Sequence, residues 1–260
     1  MLSKSRFLAG LQCPLRLWHQ CYNRDLASEV SPVQQTVFDT GHEVGRLATK
    51  LYPEGVLIEE NHLHHKEAVQ STLAAIQDPN IPSIYEAAFI HDDVRVRVDI
   101  LERLNDGKWN LIEVKSSTSE KDIYLPDVAV QYHVLKGSGI DVGRVILMHL
   151  NNQYVYDGNN LLLEQLFLHT DMTQEALEYQ NQIPSLLFGF NDMLAKAEEP
   201  EICPGRHCKK PYECEFWAHC TKDLPEHWVM ELSGITQEKL NDLEAMGIYD
   251  IRGKKKGTGK

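Results

Sequence analysis

The order of helical and extended segments along the 260 residues predicts an α/β protein with a central mixed β-sheet flanked by helices. Apolar and polar side chains alternate from Val94 to Leu101 and from Trp109 to Lys115, which is typical of half-buried strands. Asn105-Asp106-Gly107 between them is a hairpin signal. Apolar residues recur at helical spacing on both sides of this hairpin. We therefore expect a hairpin with one dry face at the centre of the sheet.

The segments before the hairpin predict helices and two further strands. Ser3 can cap a first helix, which Cys13-Pro14 interrupts before a second helical piece that reaches Tyr22. Because Cys13 lies at this break, its side chain could be exposed. The other predicted segments are a helix over 33–51, a strand over 56–59, a helix over 62–77 and a strand over 84–90.

The segments after the hairpin predict a helix, two strands and a long helical region. The helix runs from about Leu125 to Lys136, and Asp127 and Gln131 lie one turn apart on a side that its apolar residues do not use. Gln131 could therefore face a functional site. The remaining predicted segments are strands over 144–150 and 153–156 and a helical region over 173–197 that Pro184 can interrupt.

Composition and charge exclude some classes of protein. No apolar run reaches membrane-spanning length and the first residues lack the apolar segment of a signal peptide, so we expect a cytoplasmic protein without a membrane partner. The net charge of -12 argues against non-specific coating of nucleic acid, but it does not exclude a nuclease. Residues that can contact phosphate are Lys4, Arg6, Arg16, Lys115, Lys121, Arg206, Lys209 and Lys210.

The polar face of the hairpin carries two acids and a lysine. The period of two places Asp99 on one strand, and Glu113 and Lys115 on the other, away from the apolar face. Carboxylates supply the hard oxygen ligands that Mg²⁺ prefers, and a lysine can orient or deprotonate a water or offset phosphate charge. This set suits metal-dependent phosphodiester hydrolysis. The alternative is a solvated strand face with an ordinary ion pair.

The six cysteines form a second signal, because a chain without a secretion signal uses them as metal ligands or reduced thiols. No closely spaced zinc-finger pair occurs, so an iron-sulfur cluster with a remote fourth ligand fits better than zinc. Cys13 is the remote candidate, Cys203 competes with it, and Cys21 is interpreted as a buried thiol. The other three are separated by five residues each: Cys208, Cys214 and Cys220.

Taken together, these residues resemble the RecB-like branch of PD-(D/E)XK nucleases that carry an iron-sulfur cluster. This branch includes the exonucleases of CRISPR adaptation and the nuclease domain of AddB-type helicase-nucleases. The sequence motifs at residues 2–5, 13–14, 41–45 and 207–214 look closest to an uncharacterised bacterial family in that branch. The resemblance covers nearly the whole chain. It implies a restriction-endonuclease-like fold whose N- and C-terminal segments are joined at the cluster.

The resemblance also implies roles for individual residues. Asp99 and Glu113 would bind Mg²⁺ or Mn²⁺, Lys115 would be the catalytic lysine, and Gln131 would position substrate or water. Relatives often carry a metal-binding histidine where this chain has Gly45, so His42 or Glu43 would be a substitute, or both would lie on an exposed helix face. Glu86 is a further candidate carboxylate. The implied ligands of a [4Fe-4S] cluster are Cys13, Cys208, Cys214 and Cys220.

The implied domain organisation is a nuclease domain over 1–222, a partial helix-hairpin-helix-like segment over 223–252 and a disordered tail over 253–260. The expected function is that of a metal-dependent DNA nuclease, an exonuclease on single-stranded or frayed ends, in repair, recombination or defence. DNA is the expected partner, and a helicase or a recombination or defence protein is a further candidate partner. The alternatives are a non-catalytic iron-sulfur module that binds DNA ends or a helicase, and a zinc-stapled structural protein.

Overall fold

The computed structural model describes residues 1–61, 63–119, 121–196 and 198–252. The predicted disordered tail lies outside the described residues, as do His62 and Ala197, which bound two of the predicted helices. The chain divides into two compact units, one formed by Met1–Leu8 and Val30–Asn191 and the other by Ala9–Glu29 and the residues from Asp192 onward. The predicted boundary after residue 222 stays a prediction, and both sides of it belong to the second unit.

The first unit contains a mixed sheet, as the sequence predicts. Its strands are β1 (Leu2–Ser3), β2 (Val56–Leu57), β3 (Ser83–His91), β4 (Val94–Arg103), β5 (Trp109–Lys115), β6 (Val142–Leu150) and β7 (Phe167–Asp171). They are ordered β2-β3-β4-β5-β6-β7, and β1 pairs with β4. The β3–β4, β4–β5 and β6–β7 pairs are antiparallel, and the β1–β4, β2–β3 and β5–β6 pairs are parallel.

The α-helices along the chain flank this sheet or belong to the second unit. They are α1 (Lys4–Gln12), α2 (Pro14–Tyr22), α3 (Pro32–Thr49), α4 (His65–Gln77), α5 (Leu125–Gly137), α6 (Leu163–Leu166), α7 (Thr173–Tyr179), α8 (Ile183–Lys196), α9 (Trp217–Thr221) and α10 (Gln237–Ala245). Ser3 accepts a hydrogen bond from the Arg6 amide at the start of α1, and α2 begins at Pro14, as expected. None of the helices in the described ranges combines the length and apolar character of a membrane span.

The side chains of strand β5 show which helix covers each face of the sheet. Ile112 packs with Val44 and Ala48 of α3, whereas Glu113 hydrogen-bonds Gln131 of α5. Neighbouring residues of a strand point to opposite faces, so α3 and α5 cover the sheet from opposite sides. The prediction of one dry face is therefore wrong for β5, because both of its faces are covered and its first five residues are buried.

Two further predictions are wrong. The segment 153–156 is not a strand. The antiparallel partner of β6 is β7, and the residues of β6 that pair with it run from Ile146 to Leu150. Cys13 is not exposed at the break between α1 and α2 but is buried, with 6% of its surface accessible. Predicted bounds also shift, since the strand at 56–59 shortens to two residues and the helix that follows it begins at His65.

The regular structure of the second unit consists of short helices in the described residues. Its C-terminal part has a small apolar cluster of Trp228, Val229, Ile235 and Leu240, and Trp228 forms an isolated bridge with Asp250. The segment predicted to resemble helix-hairpin-helix contains one α-helix, α10, and a single 3-10 turn. Gly234 and Gly247, which flank α10, both have positive φ angles. A DNA-binding role for this segment stays a prediction.

Candidate functional site

The site begins where β4 and β5 separate. Their paired residues run from Arg103↔Trp109 to Ile100↔Ile112, and the next step along the two strands brings Asp99 beside Glu113. There the Asp99 Oδ2 atom accepts a hydrogen bond from the Val114 amide at 2.7 Å, so a side chain takes the place of a backbone partner. This bond fixes the Asp99 carboxylate at the end of the paired region.

Glu113 is the centre of the site. Its side chain is buried, and its Oε1 atom accepts a hydrogen bond from Lys115 Nζ at 2.6 Å. Its other oxygen, Oε2, accepts one from Gln131 Nε2 at 2.8 Å. The structure therefore brings together Asp99, Glu113, Lys115 and Gln131, the four residues that the sequence predicts for catalysis. They come from two strands and from α5.

Two more charged residues complete the site, and the sequence did not assign either of them to it. Asp127 lies one turn before Gln131, and its Oδ2 atom accepts a hydrogen bond from Lys115 Nζ at 2.6 Å. Lys4 Nζ lies 2.9 Å from Glu113 Oε1 and 3.1 Å from Asp127 Oδ1. The shared helix side of Asp127 and Gln131 was a usable signal, whereas Lys4 was expected only as a phosphate contact.

Strand pairing explains why a residue near the start of the chain reaches this site. β1 pairs in parallel with the first residues of β4, through Leu2↔Val94 and Ser3↔Arg95. On β4, the ladder with β5 covers only Ile100 to Arg103. β1 and the end of β5 therefore approach the preceding residues of β4 from opposite directions. Lys4, the residue after β1, is thereby placed beside the carboxylates.

Burial and charge set the protonation of these groups. Burial alone would raise the pKa of Asp127, but Lys4 and Lys115 outweigh it and hold that pKa well below its usual range. Burial alone would lower the pKa of each lysine, but the two carboxylates hold both well above their usual range. Two ammonium groups thus balance Glu113 and Asp127. Asp99 is the third carboxylate, and burial and the charge of Glu113 raise its pKa to about 7.

Glu86 occupies the position across from Asp99. Tyr85 pairs with Ile100 and Ala87 with Val98, so the register places Glu86 opposite Asp99. Its φ of 55° lies in the left-handed region, which costs a non-glycine residue about 1–3 kcal/mol and is concentrated at functional sites. Burial raises the pKa of Glu86, and the positive charges of Arg97 and Lys4 oppose this shift. The sequence could not reveal this placement, because the residue type gives no sign of the irregular backbone.

The early helix contributes less than the other segments. His42 is exposed on α3 and acts on Glu86 through its charge, so it lies near the site without joining the hydrogen-bonded group of carboxylates and lysines. Glu43 is also exposed and pairs with Arg46, with 2.6 Å between Oε1 and Nη2. A metal-binding role for His42 stays a prediction.

A second group of candidate ligands lies in the second unit. Cys13, Cys208, Cys214 and Cys220 line one pocket, together with Arg16, His19 and His207. Backbone hydrogen bonds shape the loop that carries them, including Cys214 N to Cys208 O at 2.7 Å and Cys220 N to Phe216 O at 2.9 Å. Cys203 is exposed and is not among the residues that line the pocket, although its neighbours on both sides are. All six cysteines are free thiols.

Three thiols of this pocket favour their neutral form in the absence of a positive charge. Burial raises the pKa of Cys208 above its usual value, that of Cys214 to about 12 and that of Cys220 to about 11. One zinc ion with Zn–S bonds of about 2.3 Å would hold sulfur atoms about 3.8 Å apart. Among the described residues, no three cysteine sulfur atoms lie within 4.8 Å of one another. The spacing of these thiols is therefore not that of a tetrahedral zinc site.

Comparison with known proteins adds little to this geometry. No protein-family profile matches the chain, and no curated protein matches it. One solved structure, titled "Crystal structure of SSO0001", is similar over 86% of this chain and 87% of that one, with 14% sequence identity and a TM-score of 0.36. A TM-score this low establishes neither a shared fold nor a shared function.

We expect Asp127→Asn to lower the free energy of unfolding by about 3 kcal/mol or more at pH 7, because it leaves two buried ammonium groups with one carboxylate. Urea denaturation followed by circular dichroism measures this loss. Asp106→Asn, in the exposed hairpin turn, is the matched control and should change stability little. Equal losses for the two variants would show that the lysines do not depend on Asp127.

Proposed function

We propose that this protein is a metal-dependent DNA nuclease of the RecB-like, iron-sulfur type. The observation that carries the proposal is the convergence of Asp99, Glu113, Lys115 and Gln131 from three separate segments onto one buried group. An ordinary ion pair on a solvated strand face would not need Asp99 to take the place of a backbone hydrogen-bond partner. It would also not need Gln131 to be buried against Glu113. The choice of DNA over RNA as the substrate rests on the sequence resemblance. The choice of cleavage from the ends rests on it too.

The donor set fits Mg²⁺ or Mn²⁺. Asp99 and Glu113 offer carboxylate oxygens, and the raised pKa of Asp99 marks a carboxylate that lacks a cation of its own. Gln131 Oε1 is buried without a hydrogen-bond partner among the described residues, so it can accept a hydrogen bond from a water. When bound, the metal would polarise the phosphodiester and lower the pKa of a coordinated water.

The lysines would act on the substrate side of the reaction. Lys115 is held between Glu113 and Asp127, which fixes its ammonium group for contact with the scissile phosphate or the attacking water. Lys4 lies between the same two acids and bridges them. Binding of a divalent cation to Glu113 would therefore require the Lys4 side chain to move, and its ammonium group would then be available for phosphate.

Glu86 would supply a third carboxylate to the metal, in the role that a histidine has in the relatives. It stands opposite Asp99, and its pKa responds to Lys4 and Glu113. A backbone conformation that is costly for glutamate is expected where a side chain must be aimed at a site. His42 remains the alternative ligand.

The cysteine pocket would hold a [4Fe-4S] cluster. Four cysteines that line one pocket are the ligand set that such a cluster takes, and the iron ions would supply the positive charge that buried thiolates need. The apolar residues near it are few: Cys208, Cys214 and Phe216 form a small core with Leu26, Ala27, Trp217 and Cys220. A core of this size needs a covalent or metal staple to be stable, so the expected role of the cluster is structural.

We expect Asp99→Asn and Lys115→Met each to lower the rate of Mn²⁺-dependent cleavage of end-labelled single-stranded DNA at least about 100-fold. Asp99→Asn is the sharper test, because asparagine preserves the size of the side chain. Circular dichroism checks that each variant is folded. Asp106→Asn controls for loss of an acid from the same hairpin and should cleave like the wild type.

Undiminished cleavage by both folded variants would rule out this site as the nuclease centre. If the wild-type protein instead binds single-stranded DNA but cleaves nothing across a series of Mg²⁺ and Mn²⁺ concentrations, the alternative of a non-catalytic module that binds DNA ends replaces the nuclease.

We expect Glu86→Gln to raise the Mn²⁺ concentration for half-maximal cleavage about tenfold or more, because a neutral amide is a poorer ligand than a carboxylate. The same cleavage assay over a Mn²⁺ titration measures this shift. Glu59→Gln, an exposed glutamate of the same unit, is the control. An unchanged Mn²⁺ requirement in Glu86→Gln would return the third ligand position to His42.

We expect Cys208→Ser, purified without oxygen, to lose most of the about four irons per chain and the acid-labile sulfide that the wild type carries. Cys203→Ser should retain them, because Cys203 is exposed outside the pocket. Metal and sulfide analysis of both proteins makes the comparison. Stoichiometric zinc without sulfide in the wild type would contradict the cluster, and loss of iron in Cys203→Ser would contradict the choice of ligands.

A further inference from the structure

A cluster of two histidines and an aspartate lies at the turn between β3 and β4, outside the groups described above. His91 is the last residue of β3, Asp92 is in the turn, and His133 comes from α5. Within the described residues, these are the only three side chains of metal-ligating type whose ligand atoms all lie within 4.8 Å of one another.

The geometry of the cluster converges on one point. Asp92 uses both of its oxygens: Oδ2 lies 2.9 Å from His133 Nε2 and Oδ1 lies 3.4 Å from His91 Nε2. The two imidazole rings have their centroids 5.7 Å apart. In a tetrahedral site with Zn–N and Zn–O bonds of about 2.0–2.2 Å, ligand atoms lie about 3.4 Å apart, so small shifts of these atoms would admit the ion. A single ion pair would involve one histidine, whereas here His91 and His133 both contact the Asp92 carboxylate.

The backbone holds all three ligands in place. Asp92 and Asp93 have φ angles of 46° and 59°, the conformation of a two-residue turn that suits Asp, Asn and Gly. The His91 ring packs so closely on the end of α5 that there is no room for a Cβ at Gly137. Ser138 Oγ also donates a hydrogen bond to Ile90 O, 3.3 Å away. The ligands thus stand on a strand end, a tight turn and a helix, which are rigid supports.

We propose that His91, Asp92 and His133 form a binding site for a divalent transition metal ion such as Zn²⁺. Two imidazoles and one carboxylate are the donors that zinc, cobalt and nickel accept, and three protein ligands leave a coordination position for water. Exposure of 36% for the His91 side chain and 14% for that of His133 gives an ion access from solvent. The ion would fasten the end of α5 to the β3–β4 turn, and α5 carries Asp127 and Gln131. This site does not depend on nuclease activity.

The test is Zn²⁺ titration by calorimetry of the tag-free, full-length protein, with all variants purified in the same way. The wild type should bind one Zn²⁺ more per chain than His133→Ala, or bind it at least about tenfold more tightly. Asp92→Asn should show the same loss while preserving the turn, because asparagine also adopts positive φ. His64→Ala, an exposed histidine of the same unit, should bind like the wild type.

A Co²⁺ spectrum separates this site from the cysteine pocket. The visible bands of Co²⁺ bound by nitrogen and oxygen should appear in the wild type and be lost in Asp92→Asn, while any thiolate charge-transfer band stays the same in both. Thermal unfolding should show stabilisation by Zn²⁺ in the wild type and not in the folded variants. Equal stoichiometry and affinity for the wild type and both variants, or a spectrum with thiolate bands alone, would overturn the proposal.

Discussion

The closed group of ion pairs among Lys4, Lys115, Glu113 and Asp127 is the constraint on which the candidate site depends. Each carboxylate contacts both ammonium groups, at distances of 2.6–3.1 Å. Buried charges are tolerated only when they are paired, so the buried carboxylates of Glu113 and Asp127 depend on the two half-buried lysines. Because the four side chains come from the residue after β1, the end of β5 and the first turn of α5, their pairing holds these three segments in one arrangement.

The same balance of charge sets Asp99 apart. Two positive and two negative groups neutralise one another, and neither lysine forms an ion pair with the half-buried Asp99, so burial and the charge of Glu113 raise its pKa to about 7. Its carboxylate takes a backbone amide as its partner instead. A group in this state gains most from a divalent cation. Asp99 is therefore both the carboxylate with the raised pKa and the proposed metal ligand.

The central hairpin, the helix after it and the functional side of that helix could be predicted from the sequence because each has a clear period of two or 3.6 residues. β1 could not, since two residues have no period, and the role of Lys4 depends on β1. The special position of Glu86 depends on a backbone angle that glutamate rarely adopts. The segment 153–156 has the aromatic and β-branched residues of a strand, whereas β7 does not stand out in the sequence and is defined by its tertiary pairing. In the second unit, cysteine spacing indicated a shared site, but burial of Cys13 follows from packing that no local pattern encodes.

The pairing of β1 with β4 has a consequence for how the protein is made. Lys4 and Glu113 are 109 residues apart in the chain, so at translation rates of about 5–20 residues per second the lysine is synthesised about 5–20 s before its partner. Contacts over such separations form late in folding, after the loop between them has closed. A nascent chain that has not yet reached β5 carries the lysine without either acid. The site therefore cannot be complete before the first turn of α5 has been synthesised.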